Sequence, residues 1–456
     1  MKNITKIHYS ILSILMIVAI GFLASCNPSI VNPIGTGNLG SLSMMSKDST
    51  VYVSMGNSLV AGYQSGGVTP TSQKYSYPNI IAQQMGIQFH QPTITEPGLG
   101  SLINNFQGFD ATGNPIIGGF PGNGTVSDAQ TYLKPYNNLG VPGAIMYDLI
   151  DTSAYANRHN NPFYSAVLRA SAFGKCMVDQ AIALKPDFIT IEIGDNDVLG
   201  YATSGGTSST AVDAGGKPIP TPAAQLFALY AGALTKLTTA LPNTKIIIIT
   251  IPDVTGIPYF TTFPWNALLL DQSTADQLNA AYKALGFSFK PGPNGFVAAS
   301  PSAPGGMKQL TANDRILLPL KMITDSLSKA GWGTMKPIPN QYILDAAEVA
   351  IVKQAVTDYN DRIKGLTSIS KNGNIKVFDM DALFKQIQTT GYPVPGSTTM
   401  TASYISGELF SLDGVHPSSR GYGAIANELI KFINTNYGAD IPLKELTAIP
   451  SLGITK

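Results

Sequence analysis

Four short runs of apolar, mostly β-branched residues constrain the fold of this chain more than any other feature. The clearest of them contains four consecutive isoleucines, from Ile246 to Ile249. Such runs lack the polar alternation of a half-exposed strand, as expected for strands buried on both faces. Segments with helical patterns separate them, which predicts an α/β fold with a parallel sheet covered by helices on both sides. The predicted strands are Val51–Met55, Asp187–Ile193, Lys245–Ile251 and Asn374–Phe378.

The rest of the pattern predicts helices and insertions within a single domain. The predicted helices are Tyr77–Met85, Ser165–Leu184, Thr274–Leu285, Ala312–Ala330, Leu344–Ile363 and Gly423–Thr435. Gly/Pro-rich or polar insertions fall around residues 204–222 and 253–345. A separate helical domain over 253–345 is an alternative. The polar groups described below lie on both sides of that segment, however, which favours one α/β domain over residues 50–440.

The amino terminus has the features of a bacterial secretion signal. A basic start leads into an apolar stretch from Ile11 to Leu23, which is shorter than the roughly 20 residues that a membrane-spanning helix needs. The sequence Leu-Ala-Ser-Cys, ending at Cys26, resembles the bacterial lipoprotein box. An ordinary signal peptide with a chance cysteine is the alternative. The resemblance implies a signal peptide over 1–25 and a lipid anchor on Cys26, and hence a place in the bacterial cell envelope, at the outer membrane.

A flexible tether is predicted to join this anchor to the folded body. Residues 26–49 are rich in Gly, Ser, Asn and Pro and show no periodicity, as is typical of a linker. Their first residues carry no acidic run, which favours the periplasmic side of the membrane, although a surface-facing position stays open. Residues 441–456 are predicted to form a C-terminal tail.

Composition argues against several classes of protein. Only 12% of the residues are charged and the formal net charge is +1, so the chain has no basic stripe for nucleic acid. Apart from Cys26 there is one cysteine, Cys176, which is expected to be a buried apolar side chain. No two histidines have the spacing of metal ligands, and neither a CxxC motif nor a calcium-loop pattern is present in the sequence. The sequence therefore predicts neither a metal nor a cofactor.

Two short motifs near opposite ends of the body supply the groups of an activated serine nucleophile. Ser58 follows Gly-Asn directly after the first predicted strand, and Asp413 and His416 stand three residues apart on a predicted loop. A serine hydroxyl needs a base to remove its proton, and a histidine base needs an acceptor that fixes its tautomer. Histidines are scarce, with only four in the chain. The alternatives are that Ser58 is a helix N-cap and that the Asp–His pair is an ordinary loop contact.

Two further motifs are candidates for stabilising an oxyanion. Asn196, within Gly-Asp-Asn-Asp after the strand Asp187–Ile193, carries an amide that can donate without adding charge. The motif Asn138 to Gly143 offers glycines whose main chain can approach a ligand closely. Each motif, taken alone, can also be a plain turn.

Taken in the order in which they occur along the chain, these four motifs resemble those of the GDSL-type serine esterases, also called SGNH hydrolases. The resemblance spans residues 50 to 436 and implies a flavodoxin-like three-layer α/β/α fold with a central parallel sheet of about five strands. It also implies roles for the site residues. Ser58 is the nucleophile, His416 the base and Asp413 its orienting partner. The oxyanion hole consists of Ser58 N–H, Gly143 N–H and the Asn196 side chain, with Gly140 as the competing glycine.

The chain departs from the family pattern at one position, because Asn57 precedes the serine where the family usually has aspartate. The preferred interpretation is a lipid-anchored serine esterase that cleaves small-molecule, glycan or lipid esters through an acyl-enzyme. A non-catalytic glycan- or lipid-binding lipoprotein and an O-acyltransferase are the alternatives. Tyr63, Tyr75, Tyr77 and Phe106 are candidates for lining an acyl or sugar subsite.

Overall fold

A five-stranded parallel sheet forms the centre of the structure, a computed structural model that describes residues 38–42, 49–111, 115–153, 160–322, 331–370 and 372–452. Within these residues the strands are β1 (Tyr52–Gly56), β2 (Leu99–Phe109), β3 (Pro115–Asn123), β4 (Asn138–Gly140), β5 (Phe188–Glu192), β6 (Ala211–Val212), β7 (Pro218–Ile219), β8 (Lys245–Ile249), β9 (Leu268–Leu270), β10 (Gly292–Asn294), β11 (Val297–Ala299), β12 (Met307–Gln309), β13 (Arg315–Ile316), β14 (Ile343–Leu344) and β15 (Ile375–Phe378). The central sheet has the order β4-β1-β5-β8-β15, and all its neighbours are parallel.

Helices cover both faces of this sheet. In the part of the chain that the structure describes, the α-helices are Ser58–Ala61, Pro70–Lys74, Tyr77–Met85, Pro162–Val167, Met177–Leu184, Asn196–Thr203, Ala223–Ala240, Pro258–Thr261, Gln272–Ala281, Leu318–Met322, Ala346–Gly365, Met380–Thr390 and Ser419–Tyr437. Ser419–Tyr437 packs on Tyr77–Met85, whereas Ala223–Ala240 packs on both Met177–Leu184 and Ala346–Gly365. Every residue of β1 and β5 is buried, as expected for strands between two helical layers.

The predicted three-layer fold is thus confirmed, and its strand order matches the flavodoxin-like pattern. Numbered by their order in the chain, the five strands of the sheet run 2-1-3-4-5. In such sheets ligands bind outside the carboxyl ends of the strands, where the order changes direction. Here that point lies beside β1, whose neighbours are β4 and β5. The fold therefore directs attention to the residues that follow β1, β4 and β5.

The predicted strands agree with the structure to within two residues at each end, and the helix Tyr77–Met85 agrees at both ends. The single helix predicted over Ser165–Leu184 is wrong. The segment forms two helices, Pro162–Val167 and Met177–Leu184. Between them Arg169 has a φ of +53°, and its guanidinium donates to main-chain oxygens of Ala129, Tyr132 and Lys134. These contacts to a distant loop hold the chain out of helical conformation.

The two insertions contain more strand than the sequence predicts. Residues 204–222 include the two-stranded β6–β7 sheet, and residues 253–345 include three further two-stranded sheets. The helix predicted over Ala312–Ala330 is wrong in part, because β13 and the short helix Leu318–Met322 occupy its first half. Residues 323–330 lie outside the described residues. A small hydrophobic cluster, separate from the main core, packs around the strands of the second insertion. It is formed by Phe296, Ala298, Leu310, Ile316, Leu320, Ile338 and Ile343.

Parts of the predicted tether and tail pack against the main core. Leu39 and Leu42 are buried, although both lie within the segment 26–49. The Asp440 N–H donates to the Asn38 oxygen at 2.7 Å, which joins this segment to the end of the last helix. In the predicted tail, Ile441, Leu446 and Ile449 are likewise buried. Residues 38–42 and 441–449 are therefore packed segments, and the division into domains stays a prediction.

Candidate active site

Ser58 lies at the carboxyl edge of the central sheet, in the turn that follows β1. Gly56 ends the strand with a φ of +149°, and a Cβ there would lie 1.9 Å from the main-chain oxygen of Glu192. Only glycine therefore fits this close approach. Asn57 is the N-cap of the helix Ser58–Ala61, since its side-chain oxygen accepts a hydrogen bond from a main-chain N–H at 2.9 Å. The alternative role of Ser58 as the N-cap is thus wrong.

Ser58, His416 and Asp413 form a continuous row of hydrogen bonds. The distance from His416 Nε2 to Ser58 Oγ is 2.9 Å, and from His416 Nδ1 to Asp413 Oδ2 it is also 2.9 Å. His416 belongs to the loop before the helix Ser419–Tyr437. The residue Ser58 is only 7% exposed, so the row lies in a site that excludes most water. Folding thus brings together the two motifs from opposite ends of the chain.

Asp413 is held in place by donors from two loops. Its Oδ1 accepts hydrogen bonds from the main-chain N–H groups of Val415 and His416, each at 2.9 Å, and from Ser411 Oγ at 3.1 Å. Its Oδ2 accepts from Gly66 N–H at 3.1 Å. Burial alone would raise the pKa of Asp413, but the His416 charge and these hydrogen bonds outweigh it and keep the pKa below its ordinary value. The carboxylate is therefore available to orient the imidazole.

The candidate oxyanion donors lie at the ends of β1, β4 and β5. Among the described residues, no group accepts a hydrogen bond from the main-chain N–H of Ser58 or Gly143. The Asn196 side chain donates one amide hydrogen to Ala144 O at 2.8 Å, which leaves its second hydrogen available. Gly140 N–H already donates to Asn138 Oδ1 at 3.0 Å. Of the two candidate glycines, Gly143 is therefore the one whose N–H is not already used within the described residues, and its role as an oxyanion donor stays a prediction.

Further polar contacts fix the loop that carries Gly143. Asp197 Oδ2 accepts a hydrogen bond from Met146 N–H at 2.7 Å, and Asn161 Nδ2 donates to Pro142 O at 2.5 Å. Burial raises the pKa of Asp197 to about 7, against the lowering effect of its hydrogen bonds. Gly143 itself has a φ of +84°, which favours glycine. Three loops are thus tied together around the candidate donors.

Of the four aromatic candidates, Tyr63 lies beside the row formed by Ser58, His416 and Asp413. Its ring centroid lies 4.6 Å from that of His416, and burial, together with the charge of Asp413, raises the pKa of Tyr63 to about 12. Tyr77 is fully buried in the core, so its predicted subsite role is wrong. Phe106 packs on Phe109 in β2, and Tyr75 is partly buried against the main core.

The remaining sequence candidates lie elsewhere. Cys176 is buried at the start of the helix Met177–Leu184, and burial raises the pKa of its thiol. His90 stacks on Tyr132 with ring centroids 4.5 Å apart. Cys26 lies outside the described residues, as does the predicted signal peptide. In the parts of the chain that the structure describes, no cluster of His, Cys, Asp or Glu can hold a metal ion, and no helix is long and apolar enough to cross a membrane.

Several residues that support the row belong to none of the sequence motifs. Gly66 and Ser411 bind the Asp413 carboxylate from two separate loops, and no sequence motif marks either residue. Ser65 joins the same two loops, since its N–H donates to Ser411 Oγ at 2.9 Å and its hydroxyl accepts from Leu412 N–H at 3.1 Å. The one available signal was their closeness in sequence to Ser58 and Asp413.

Comparison with known proteins identifies the family. The family model described as GDSL-like Lipase/Acylhydrolase matches residues 52–429. A solved structure described as a GDSL-like lipase from Parabacteroides merdae is 11% identical, with a TM-score of 0.35 and coverage of 86% of this chain and 99% of that one. A solved peptidoglycan O-acetylesterase is 10% identical, with a TM-score of 0.33 and coverage of 87% and 99%. The search of curated proteins gives no match. The family match extends over most of the chain and includes the loops that carry Ser58 and His416, so the protein belongs to the GDSL-like lipase and acylhydrolase family and is a hydrolase of ester bonds.

Proposed function

We propose that this protein is a serine esterase that cleaves carboxylic esters through an acyl-enzyme formed on Ser58. The observation that carries the proposal is the unbroken row from Ser58 Oγ through the His416 ring to Asp413, with both distances at 2.9 Å. A serine hydroxyl in this arrangement has a base on one side, and the base has an ionised orienting group behind it. Both requirements for activating the nucleophile are therefore met within one site.

The proposed reaction has two half-reactions. His416 Nε2 removes the proton from Ser58 Oγ as the oxygen forms a bond to the ester carbonyl carbon. The tetrahedral intermediate collapses when His416 returns that proton to the leaving alcohol, and the acyl group stays on Ser58. Water then attacks the acyl-enzyme by the same route, with His416 first accepting and then returning a proton. The carboxylic acid leaves and free Ser58 is restored.

The charge that develops on the carbonyl oxygen is met by three donors in this proposal. They are the main-chain N–H groups of Ser58 and Gly143 and the second amide hydrogen of Asn196. Such donors stabilise the transition state more than the ground state when they are fixed in advance. The hydrogen bond from Asn196 to Ala144 O and the binding of the neighbouring loop by Asp197 provide that fixation. The proposed substrates are acyl or acetyl esters of lipids or carbohydrates, as the family description allows.

Labelling with a fluorophosphonate tests this proposal directly. The reagent should form a phosphorus–oxygen bond with Ser58 Oγ, with loss of fluoride, and mass spectrometry should locate the adduct on the peptide that contains Ser58. The labelled protein should lose hydrolysis of p-nitrophenyl acetate and of acetylated sugars in proportion to labelling. Absence of labelling, together with no turnover of any short acyl ester, would overturn the esterase proposal and favour a binding protein.

We also propose that the protein is lipid-anchored in the bacterial cell envelope through Cys26. The lipoprotein-like sequence before that cysteine supports this location. Cys26→Ser is expected to move the protein from the membrane fraction to the soluble fraction, or to leave the signal peptide uncleaved. Fractionation and mass spectrometry of the mature amino terminus provide the measurement, with Cys176→Ser as the matched control that stays membrane-bound. An unmodified Cys26 in the mature native protein would contradict the anchor.

A further inference from the structure

The residue before the proposed nucleophile, Asn57, is bound to a buried carboxylate. Asn57 Nδ2 donates to Asp195 Oδ2 at 2.6 Å, and both residues are buried. Asp195 stands immediately before Asn196, so the hydrogen bond joins the turn after β1 to the turn after β5. Asn57 N–H also donates to Glu192 O at the end of β5, at 3.3 Å. Two contacts thus tie the serine turn to the strand that leads to Asn196.

The chemistry of the two positions is complementary. Asn57 uses both ends of its amide, because its oxygen caps the helix Ser58–Ala61 while its nitrogen reaches Asp195. An aspartate at position 57 would cap the helix equally well but has no hydrogen to give to Asp195. Two buried carboxylates at this distance cannot both be ionised. Asparagine at 57 is therefore matched to aspartate at 195.

We propose that Asn57 and Asp195 form a matched donor–acceptor pair whose hydrogen bond positions Ser58 relative to Asn196. This inference rests on the proposed roles of Ser58 as nucleophile and Asn196 as oxyanion donor. The pair touches no reacting atom, so both members are positioning residues. A shift of either turn changes the distance between the attacking oxygen and the oxyanion donor. Such a shift lowers kcat more than it changes KM, because the lost interaction is made in the transition state.

Several charged or titratable groups face Asp195 from the surrounding elements. Glu192 and Asp197 flank it in the chain, His416 faces it from the loop before the last helix, and Tyr230 faces it from the helix Ala223–Ala240. Burial raises the pKa of Asp195 to about 6, while the Asn57 hydrogen bond and the His416 charge lower it. Burial and the Asp195 charge also raise the pKa of Glu192 well above its ordinary value. Above about pH 6 Asp195 is therefore ionised and accepts the hydrogen bond of the Asn57 amide as a carboxylate.

Three variants test the pair. In Asn57→Asp the hydrogen bond of the pair persists only while one of the two carboxyls holds a proton. That proton is lost as the pH rises, so the ratio of variant kcat to wild-type kcat should fall by roughly tenfold or more between about pH 6 and pH 9. Asp195→Asn keeps an acceptor for the Asn57 amide without charge, and its kcat should stay within about threefold of wild type at every pH. In Asn57→Asp/Asp195→Asn the direction of the hydrogen bond is reversed, and kcat should return to within about fivefold of wild type.

The pH ratio and the rescue separate positioning from a general loss of structure. Thermal unfolding and fluorophosphonate labelling of each variant accompany the kinetics. If Asn57→Asp fails to fold, recovery of folding and of kcat in the double variant still supports the pair. Wild-type activity of Asn57→Asp at all pH values, or a folded double variant no better than Asn57→Asp, would overturn the inference alone. Wild-type protein that neither labels at Ser58 nor hydrolyses esters would instead overturn the proposed function, and this inference with it.

Discussion

Ser58→Ala is expected to lower kcat for ester hydrolysis by about 10⁶-fold, and Ser58→Ala/His416→Ala should be no slower. The physical reason is that the proposed nucleophile and the proposed base are expected to act as one unit, since a 2.9 Å hydrogen bond joins them. Once the nucleophile is absent, the base has no proton to remove, so its loss costs nothing further. His416→Ala alone should approach the same rate, because the serine hydroxyl is then not activated. Steady-state kinetics on one activated ester, with all three variants, measure this non-additivity.

The matched control is His90→Gln, which removes the imidazole that stacks on Tyr132 away from the row. It should retain near-normal kcat and fluorophosphonate labelling, whereas Ser58→Ala should lose both. Losses that multiply in the double variant would show that Ser58 and His416 act independently. Labelling that persists in Ser58→Ala would assign the nucleophile to another residue.

Much of the fold could be predicted from the sequence because the buried strands have a strong local signal. β8 consists of a lysine and four isoleucines, and β1, β5 and β15 have similar apolar runs. β4 lacks such a signal, since it is three residues long and starts with asparagine. Tertiary contacts hold it beside β1. The Asn137 amide donates to Tyr52 O at 2.8 Å, and the Asn138 amide donates to Val60 O at 3.0 Å.

The failures of prediction have the same kind of cause, because they occur where distant contacts override local pattern. The residues between 165 and 184 have a continuous helical pattern, but the contacts of Arg169 to residues 129–134 interrupt it. The described strands within 253–345 pair with one another, in short sheets of two or three residues a strand. Such short pairs leave little periodicity in the sequence.

For the site, the sequence motifs predicted which groups meet, and the side chains of Ser58, His416 and Asp413 do lie within hydrogen-bonding distance. Their catalytic roles stay predictions. The contacts that hold these side chains in place could not be predicted, because they depend on the relative position of two turns that are distant in sequence. The bond between Asn57 and Asp195 joins residues 138 positions apart. Sequence showed Asn57 only as a departure from the family pattern, whereas the structure shows the partner that makes asparagine suitable there.

Asn196→Ala is expected to lower kcat by about 10²–10³-fold with little change in KM. The Asn196 amide has one hydrogen bound to Ala144 O and one available to the developing oxyanion. In the proposed role, the available hydrogen meets a charge that exists only in the transition state, so its loss is expected to act on kcat. The first hydrogen, however, also helps to hold the loop that carries Gly143. The fall in kcat caused by a displaced loop therefore has to be distinguished from the fall caused by the missing donor.

Asn161→Ala provides that separation, because the Asn161 amide holds the same loop through Pro142 O at 2.5 Å. Asn161 also caps the helix Pro162–Val167, so this variant should lose about 1 kcal/mol of stability. Its kcat should nevertheless fall by less than about tenfold, since no oxyanion donor is removed. Kinetics and thermal unfolding of both variants, measured side by side, decide the assignment.

Equal losses of kcat in the two variants would show that Asn196 acts only as a contact that holds the loop. A rise confined to KM in Asn196→Ala would place its amide in ground-state binding of the ester, and unchanged turnover would remove it from the site.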